Sequence, residues 1–203
     1  MFRHRVSPFE LDMVSLHPGE YWATAEDEIL VTVLGSCVAV GLFDVEARAG
    51  GLNHFMLPGD LGDSGLVRSP NAKYGMYAME LLINDLLKLG ARKASLQAKV
   101  FGGGSMLRGL AGAASKIPGS NIAFALEYLA KEGIPVIASD VGGNEARKIF
   151  FYARGGKVLL KRFGGPPVDL VEREEERYLD DLRGHDQSGP VLLFDLETRA
   201  PGD

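Results

Sequence analysis

Glycine clusters cut this chain into short pieces. They stand at Gly35-Ser36, Gly50-Gly51, Gly102-Gly103-Gly104, Gly142-Gly143, Gly155-Gly156 and Gly164-Gly165. Gly accounts for 26 of the 203 residues, well above the usual share of ~7%. β-rich runs lie between the clusters, and a glycine pair at the end of such a run marks a tight turn. The chain is therefore limited to short strands joined closely, with few long helices. Strands are expected at Ile29–Leu34, Val38–Phe43, Gly50–Leu57, Ser95–Phe101 and Ile134–Ser139. Lys148–Tyr152 and Lys157–Arg162 pair as a hairpin across Gly155-Gly156. Residues 1–28 carry no strong period beyond a turn at Pro18-Gly19.

Helical spacing is confined to a few stretches. Met76, Met79, Leu82, Ile83, Leu86, Leu87 and Leu89 line one face of a helix that Gly90 stops, and Asn121–Glu132 forms a second. The two methionines read as core. The segment 59–71, rich in Gly, Asp, Ser and Pro, reads as a surface loop or lid. After a hinge at Gly164–Pro167 come a charged helix, Asp169–Arg183, and an edge strand at Val191–Leu196. The acidic run from Glu172 reads as a solvated helix face. Strands outnumber helices, and hairpins outnumber crossovers. The fold class is thus α/β, a layered sandwich with a mostly antiparallel mixed sheet. One domain spans 1–163, with a C-terminal extension, 164–203, packed on it.

Composition excludes several roles. Lys plus Arg is 22 and Asp plus Glu is 27, a net charge of −5 with no basic excess, so nucleic acid is not an expected partner. No apolar run reaches the roughly 18–20 residues of a membrane span. The basic start, Arg3-His4-Arg5, runs into Glu10 and Asp12, where a signal peptide needs apolar residues. Cys37 stands alone, so no intrachain disulfide forms, and a reducing, cytoplasmic setting is expected.

Cys37 follows a glycine break at the mouth of a strand, and His54 lies near the end of the next one. A hairpin register that sets Cys37 against His54 also sets Phe43 against Arg48 and Asp44 against Ala47, with Val45-Glu46 at the tip. Opposed residues have Cβ atoms about 4.5–5.5 Å apart. Cys beside His is an acyl-transfer pair: the imidazole favours the thiolate and then protonates a leaving amine. Thr32 is the candidate third group, accepting from the imidazole through its hydroxyl or its carbonyl. Backbone N–H groups around Gly35, Ser36 and Cys37 are oxyanion candidates. The plain alternative is a small buried core cysteine. His4, His17 and His185 read as solvated. One Cys and scattered His residues offer no metal spacing. Gly102–Ser105 lacks the Lys-Ser/Thr of a phosphate loop and reads as a turn lining the pocket.

Several blocks resemble the CheD family, the chemoreceptor glutamine deamidases of bacterial and archaeal chemotaxis. They are Gly19-Glu20-Tyr21, Thr32 to Val40 around Leu34-Gly35-Ser36-Cys37-Val38, and Gly51 to Pro58 around Asn53-His54-Phe55-Met56-Leu57. Tyr74-Gly75, Ala98 to Gly103, Asn121, Asp140 to Gly143 and Arg147-Lys148 follow in family order. The resemblance implies a CheD-like sandwich related to glutamine-deamidating toxin domains. It implies hydrolysis of glutamine side-chain amides on methyl-accepting chemotaxis receptors, with receptor methylesterase activity in some members. It assigns the nucleophile to Cys37, the base to His54 and the third role to Thr32. No metal or cofactor is implied. Ser36, Gly35, Asn53 and Gly103 are the oxyanion and substrate-binding candidates. Substrate selection falls to the 59–71 loop and the turns near Gly103 and Gly142. A CheC-type phosphatase is an implied partner. Two other readings stay open: a non-catalytic module regulating such a phosphatase, and a thiol redox sensor, which has no resolving cysteine. An active enzyme is expected to show an accessible, low-pKa Cys37.

Overall fold

The computed structural model describes residues 2–5, 11–59, 69, 71–105, 116–163 and 167–184. Along the chain come β1 (Phe2–Arg5), β2 (Asp12–Ser15), β3 (Tyr21–Thr24), β4 (Glu28–Leu34), β5 (Val38–Asp44) and β6 (Ala49–Asn53). Then follow α1 (Ala72–Lys88), β7 (Gln97–Gly102), α2 (Ile117–Lys131), β8 (Val136–Val141), β9 (Ala146–Tyr152), β10 (Lys157–Phe163) and α3 (Pro167–Gly184). The strands make two five-stranded sheets, ordered β1-β2-β4-β9-β10 and β3-β6-β5-β7-β8. Only β2 with β4 and β7 with β8 pair in parallel; every other pairing among the described residues is antiparallel. This is the α/β sandwich that the strand pattern predicts.

The layers follow from alternation along β5, which is buried on both faces. Val38, Val40 and Leu42 point to a core shared with α1 and α2, against Met79, Leu82, Ile83, Leu86, Phe124 and Leu129. Cys37, Ala39 and Phe43 point the other way, into a core between the sheets with Leu30, Leu34, Ile149 and Phe151. The order is helices, sheet, sheet. Gly50 marks how closely the sheets approach: a Cβ there would lie 2.0 Å from the carbonyl oxygen of Ala153.

Three expectations change. β1, β2 and β3 have four residues each, too short to show a period, so three strands lie among the described residues before β4 where the sequence suggested none. The strand expected to run to Leu57 ends at Asn53, and beyond it Phe55 makes a single bridge to Val38. The β5–β6 register is shifted by two residues: Phe43 faces Gly50 and Asp44 faces Ala49. The turn holds residues 45–48 rather than a two-residue tip. Asp44 Oδ1 accepts from the Glu46 and Ala47 amides at 3.0 and 3.2 Å, and Arg48 takes a left-handed φ of 51°. A shift of two preserves the face, so Cys37 and His54 stay on one side as diagonal neighbours. Most of the 59–71 loop and the expected Val191–Leu196 strand lie outside the described residues.

Gly50→Ala is expected to cost about 2–3 kcal/mol or more, because a backbone carbonyl cannot move out of the way as a side chain can. Urea unfolding, read as a lower midpoint at unchanged slope, measures it.

Candidate active site

Four segments meet at the end of the sandwich: the turn 35–37, the strand exit at His54, Thr32 of the opposite sheet, and α3. His54 leaves β6 with its backbone clamped. Its N–H donates to the Glu20 carbonyl at 2.9 Å, and its carbonyl accepts from Gly19 N–H at 2.7 Å. Its ring faces the core between the sheets, where Thr32 reaches it from β4.

That contact fixes the imidazole tautomer. Thr32 Oγ1 lies 2.8 Å from the Leu16 carbonyl oxygen and 2.8 Å from His54 Nδ1. A hydroxyl has one proton. The Leu16 carbonyl can only accept, so that proton goes to it, and Thr32 Oγ1 accepts from Nδ1–H. Nε2 is left with a bare lone pair, and among the described residues it has no hydrogen-bond partner. A ring nitrogen of His54, the Cys37 sulfur and a carboxylate oxygen of Glu175 all lie within 4.8 Å of one another.

The turn 35–37 presents three consecutive N–H groups to one side, and its three carbonyls are all tied elsewhere; the ties on Gly35 O and Ser36 O orient the Ser36 and Cys37 amides that share their peptide units. Gly35 O accepts from Gly104 N–H at 2.6 Å and Cys37 O from Gly103 N–H at 2.7 Å. Ser36 O accepts from Asn121 Nδ2 at 2.9 Å. The freed amides converge on the Glu175 carboxylate of α3. Oε1 accepts from Gly35 N–H at 2.9 Å and Cys37 N–H at 3.0 Å. Oε2 accepts from Ser36 N–H at 2.8 Å and Ser36 Oγ–H at 2.7 Å. The turn is an anion nest of the kind that stabilises an oxyanion.

Not every candidate faces this point. Asn53 is fully buried and braces the fold: Oδ1 accepts from Val40 N–H at 2.9 Å, and Nδ2 lies 3.3 Å from the Ala78 carbonyl. The Gly103 amide is engaged by Cys37 O, so it positions the nucleophile candidate rather than an oxyanion. Gly102, beside it, has φ 109°, and a Cβ there would stand 2.1 Å from Cys37 O. Glu175 is the residue that the sequence reading missed. The run it sits in reads as solvated, yet Val171, Glu175 and Leu179 are buried, one helical turn apart. An acid in the middle of an apolar i, i+4, i+8 stripe is the signal that was there to find.

Cys37 is fully buried rather than accessible. Burial, reinforced by the negative charge of Glu175, pushes its thiol well above the ordinary 9.0. Burial, with the charge of His17, pushes His54 down to about 3. Both directions favour a neutral thiol beside a neutral imidazole. Cys37, His54 and Glu175 are also a donor set that suits zinc. The carboxylate, however, has all of its roughly four lone-pair sites taken by N–H and O–H donors, leaving none for an ion.

Comparison with known proteins places the chain. The sequence model of the family described as "CheD chemotactic sensory transduction" matches residues 56–162. A "Probable chemoreceptor glutamine deamidase CheD" of Laribacter hongkongensis is 46% identical over 186 residues, 92% of this chain and 89% of that protein. The protein of the same name from Herminiimonas arsenicoxydans is 42% identical, covering 92% and 91%. "Probable chemoreceptor glutamine deamidase CheD 1" of Shewanella oneidensis is 44% identical, covering 92% and 89%. The chain belongs to the CheD family. With 186 of 203 residues matched, positions 18–186 fall inside the match wherever it begins, so Thr32, Cys37, His54 and the α3 segment are all spanned.

The two shifts set a pH window for stability. His54 is neutral in the fold down to about 3 but takes a proton near 6.5 when unfolded, so stability falls as pH drops from 6.5 towards 3. Cys37 keeps its proton in the fold and loses it near 9.0 when unfolded, so stability falls again as pH rises past 9. Urea unfolding between pH 5 and 10 is expected to show both limbs. His54→Gln should flatten the acid limb and Cys37→Ala the alkaline one.

Proposed function

We propose that this CheD protein is a chemoreceptor glutamine deamidase: a cysteine amidohydrolase that turns glutamine side chains of methyl-accepting chemotaxis receptors into glutamate and ammonia. The single observation that carries the chemistry is a His54 ring whose Nε2 is unpartnered and deprotonated because Thr32 holds the other nitrogen, and which has a ring nitrogen within 4.8 Å of the Cys37 sulfur. A module that only binds a partner has no need of an imidazole held in one tautomer. The names of the relatives supply the substrate class.

His54 Nε2 takes the Cys37 proton as the sulfur attacks the carboxamide carbon. The carbonyl oxygen becomes an oxyanion within reach of the Gly35, Ser36 and Cys37 amides. The C–N bond breaks, ammonia leaves with the proton from His54, and a thioester remains on Cys37. Water attacks next, His54 takes its proton, the C–S bond breaks, and the proton returns to the sulfur. The net change is glutamine plus water to glutamate plus ammonia. A glutamyl methyl ester follows the same route with methanol leaving, which covers the methylesterase activity. Thr32 is a positioning residue, Asn53 and Gly103 support the frame, and the proposed setting is the cytoplasm. No helix of the described residues is long and apolar enough to cross a membrane. A CheC-type phosphatase is proposed as partner on the family resemblance alone.

Mass spectrometry of a receptor cytoplasmic fragment tests this through the Gln-to-Glu mass gain. Cys37→Ala and His54→Ala are each expected to abolish it with the fold intact; deamidation surviving in Cys37→Ala rules the mechanism out. Thr32→Val should lower kcat about 10²-fold, the scale of a misplaced catalytic group. Thr32→Ser, which keeps the hydroxyl, should restore most of the rate, and a purely structural role would not discriminate between the two in this way.

A further inference from the structure

Glutamate is what the proposed reaction makes, and a glutamate side chain occupies the site. Glu175 sits in the nest with four donors on its carboxylate at 2.7–3.0 Å, within 4.8 Å of the Cys37 sulfur. We propose that α3 is a tethered product mimic: a helix-borne glutamyl group that fills the substrate position, shuts the site, and marks the groove in which a helical substrate presents its glutamine. The inference rests on the deamidase reading.

The attachment of α3 resembles that of a ligand more than that of a core helix. Among its described side chains only Val171, Glu175 and Leu179 are buried; Tyr178 and Leu182 are half-buried and the rest exposed. The one charged member of that buried set enters a pocket made of polar backbone. The remaining contacts are to the rim. His17 Nδ1 meets Glu174 Oε1 at 2.5 Å. Arg183 Nε donates to the Pro58 carbonyl at 3.2 Å, and Tyr74 Oη to the Leu182 carbonyl at 3.4 Å. Tyr178 lies over Gly19, whose added Cβ would touch the Tyr178 hydroxyl at 2.7 Å. Gly19 is bonded to the His54 carbonyl and Glu175 itself meets the turn 35–37, so a helix in this place reaches the surroundings of both reacting groups. Glu175 and Leu179 of the seated helix add to the burial and raised pKa of Cys37. An acidic amphipathic helix is thus the shape and chemistry that the groove takes, with the reactive residue on the face carrying Val171 and Leu179.

A consequence follows that simple burial does not share. The substitution Glu175→Gln would offer this site its own substrate. Cys37 would attack the carboxamide carbon of the introduced side chain, the C–N bond would break with loss of ammonia, and water would release the thioester as glutamate.

Full-length Glu175→Gln should therefore be recovered with glutamate at 175 by peptide mass spectrometry, while Cys37→Ala/Glu175→Gln keeps its glutamine. Iodoacetamide should alkylate Cys37 about tenfold faster in Glu175→Ala than in the native chain, a tenfold shift from closed to open being a modest change in population. Val171→Asp, which detaches the helix without altering the nest, should give the same acceleration, and circular dichroism confirms the fold of each. The proposal needs both results: persistence of the introduced glutamine, or unchanged alkylation in both loosened variants, overturns it. A receptor fragment separates it from the reading beneath. Deamidation by native and Glu175→Ala chains at one rate sinks the tethered mimic and leaves the deamidase standing. Self-conversion of the Glu175→Gln chain with no action on any receptor fragment supports the mimic and sinks the receptor assignment.

Discussion

The site depends on the direction of six backbone groups in the turn 35–37. In each peptide unit the N–H opposes the preceding residue's carbonyl, so the Ser36 and Cys37 amides face the nest because the Gly35 and Ser36 carbonyls point away; the Cys37 carbonyl is held as well, and buried carbonyls need donors. Each finds one on a different neighbour: Gly104 N–H, Asn121 Nδ2 and Gly103 N–H. Asn121 accepts from Leu57 N–H through its side-chain oxygen at 2.8 Å, which ties α2 to the segment beyond His54. The glycine turn is held in its turn by the next one along, through Gly142 N–H to Gly102 O at 2.9 Å and Ser105 N–H to Gly143 O at 2.8 Å. Arg147, almost fully buried, anchors that turn by pairing with Asp140 at 2.7 Å. The anion nest is therefore built before anything enters it, and donors that need no reorganisation are the ones that stabilise a transition state most.

A second dependence crosses the sandwich. Cys37 and His54 belong to one sheet, while Thr32 belongs to the other. The hydrogen bond that sets the tautomer is therefore a contact between sheets, and its length is controlled by how closely the two layers pack. The near contact at Gly50 is part of that control. A side chain there would wedge the sheets apart at the far end of β6, the strand that delivers His54.

Much of this was legible in the sequence, and the parts that were not have physical reasons. β-rich runs bounded by glycines and turns announced β4, β5, β9 and β10, and a helical stripe announced α1. Four-residue strands leave no period, so β1 to β3 were invisible. The hairpin tip was misjudged because Asp44 caps a longer turn with its own side chain, which an Asp-Val-Glu-Ala string does not reveal. The pairing of Cys37 with His54 survived only because the register error was even. Thr32 was found as a third group, but its single proton, and hence the tautomer, needed the Leu16 carbonyl. Asn53 and Gly103 looked like site residues because they adjoin His54 and the glycine loop, yet the first turns into the core and the second spends its amide on Cys37. Glu175 was hidden by its surroundings: within Glu-Arg-Glu-Glu-Glu-Arg, a buried acid looks like any solvated one.

A tethered product mimic also resolves a tension in the electrostatics. A nucleophilic cysteine is expected to have a low pKa, yet burial and the Glu175 carboxylate raise this one. The carboxylate belongs to the occupant, and so does Leu179 in the cluster that buries the sulfur. A neutral glutamine carboxamide brings no charge to repel a thiolate, and withdrawal of α3 restores water to the sulfur. The nest proposed to stabilise an oxyanion binds a carboxylate at rest, so a strong site is one its own product inhibits. Tethering then makes even a weak product a competent plug, since a short linker sets an effective concentration of about the millimolar range. A free receptor helix must exceed that local competition, through contacts beyond the glutamyl group, before Cys37 is exposed. Selectivity for a partner helix and silence in its absence thus come from one carboxylate in one pocket.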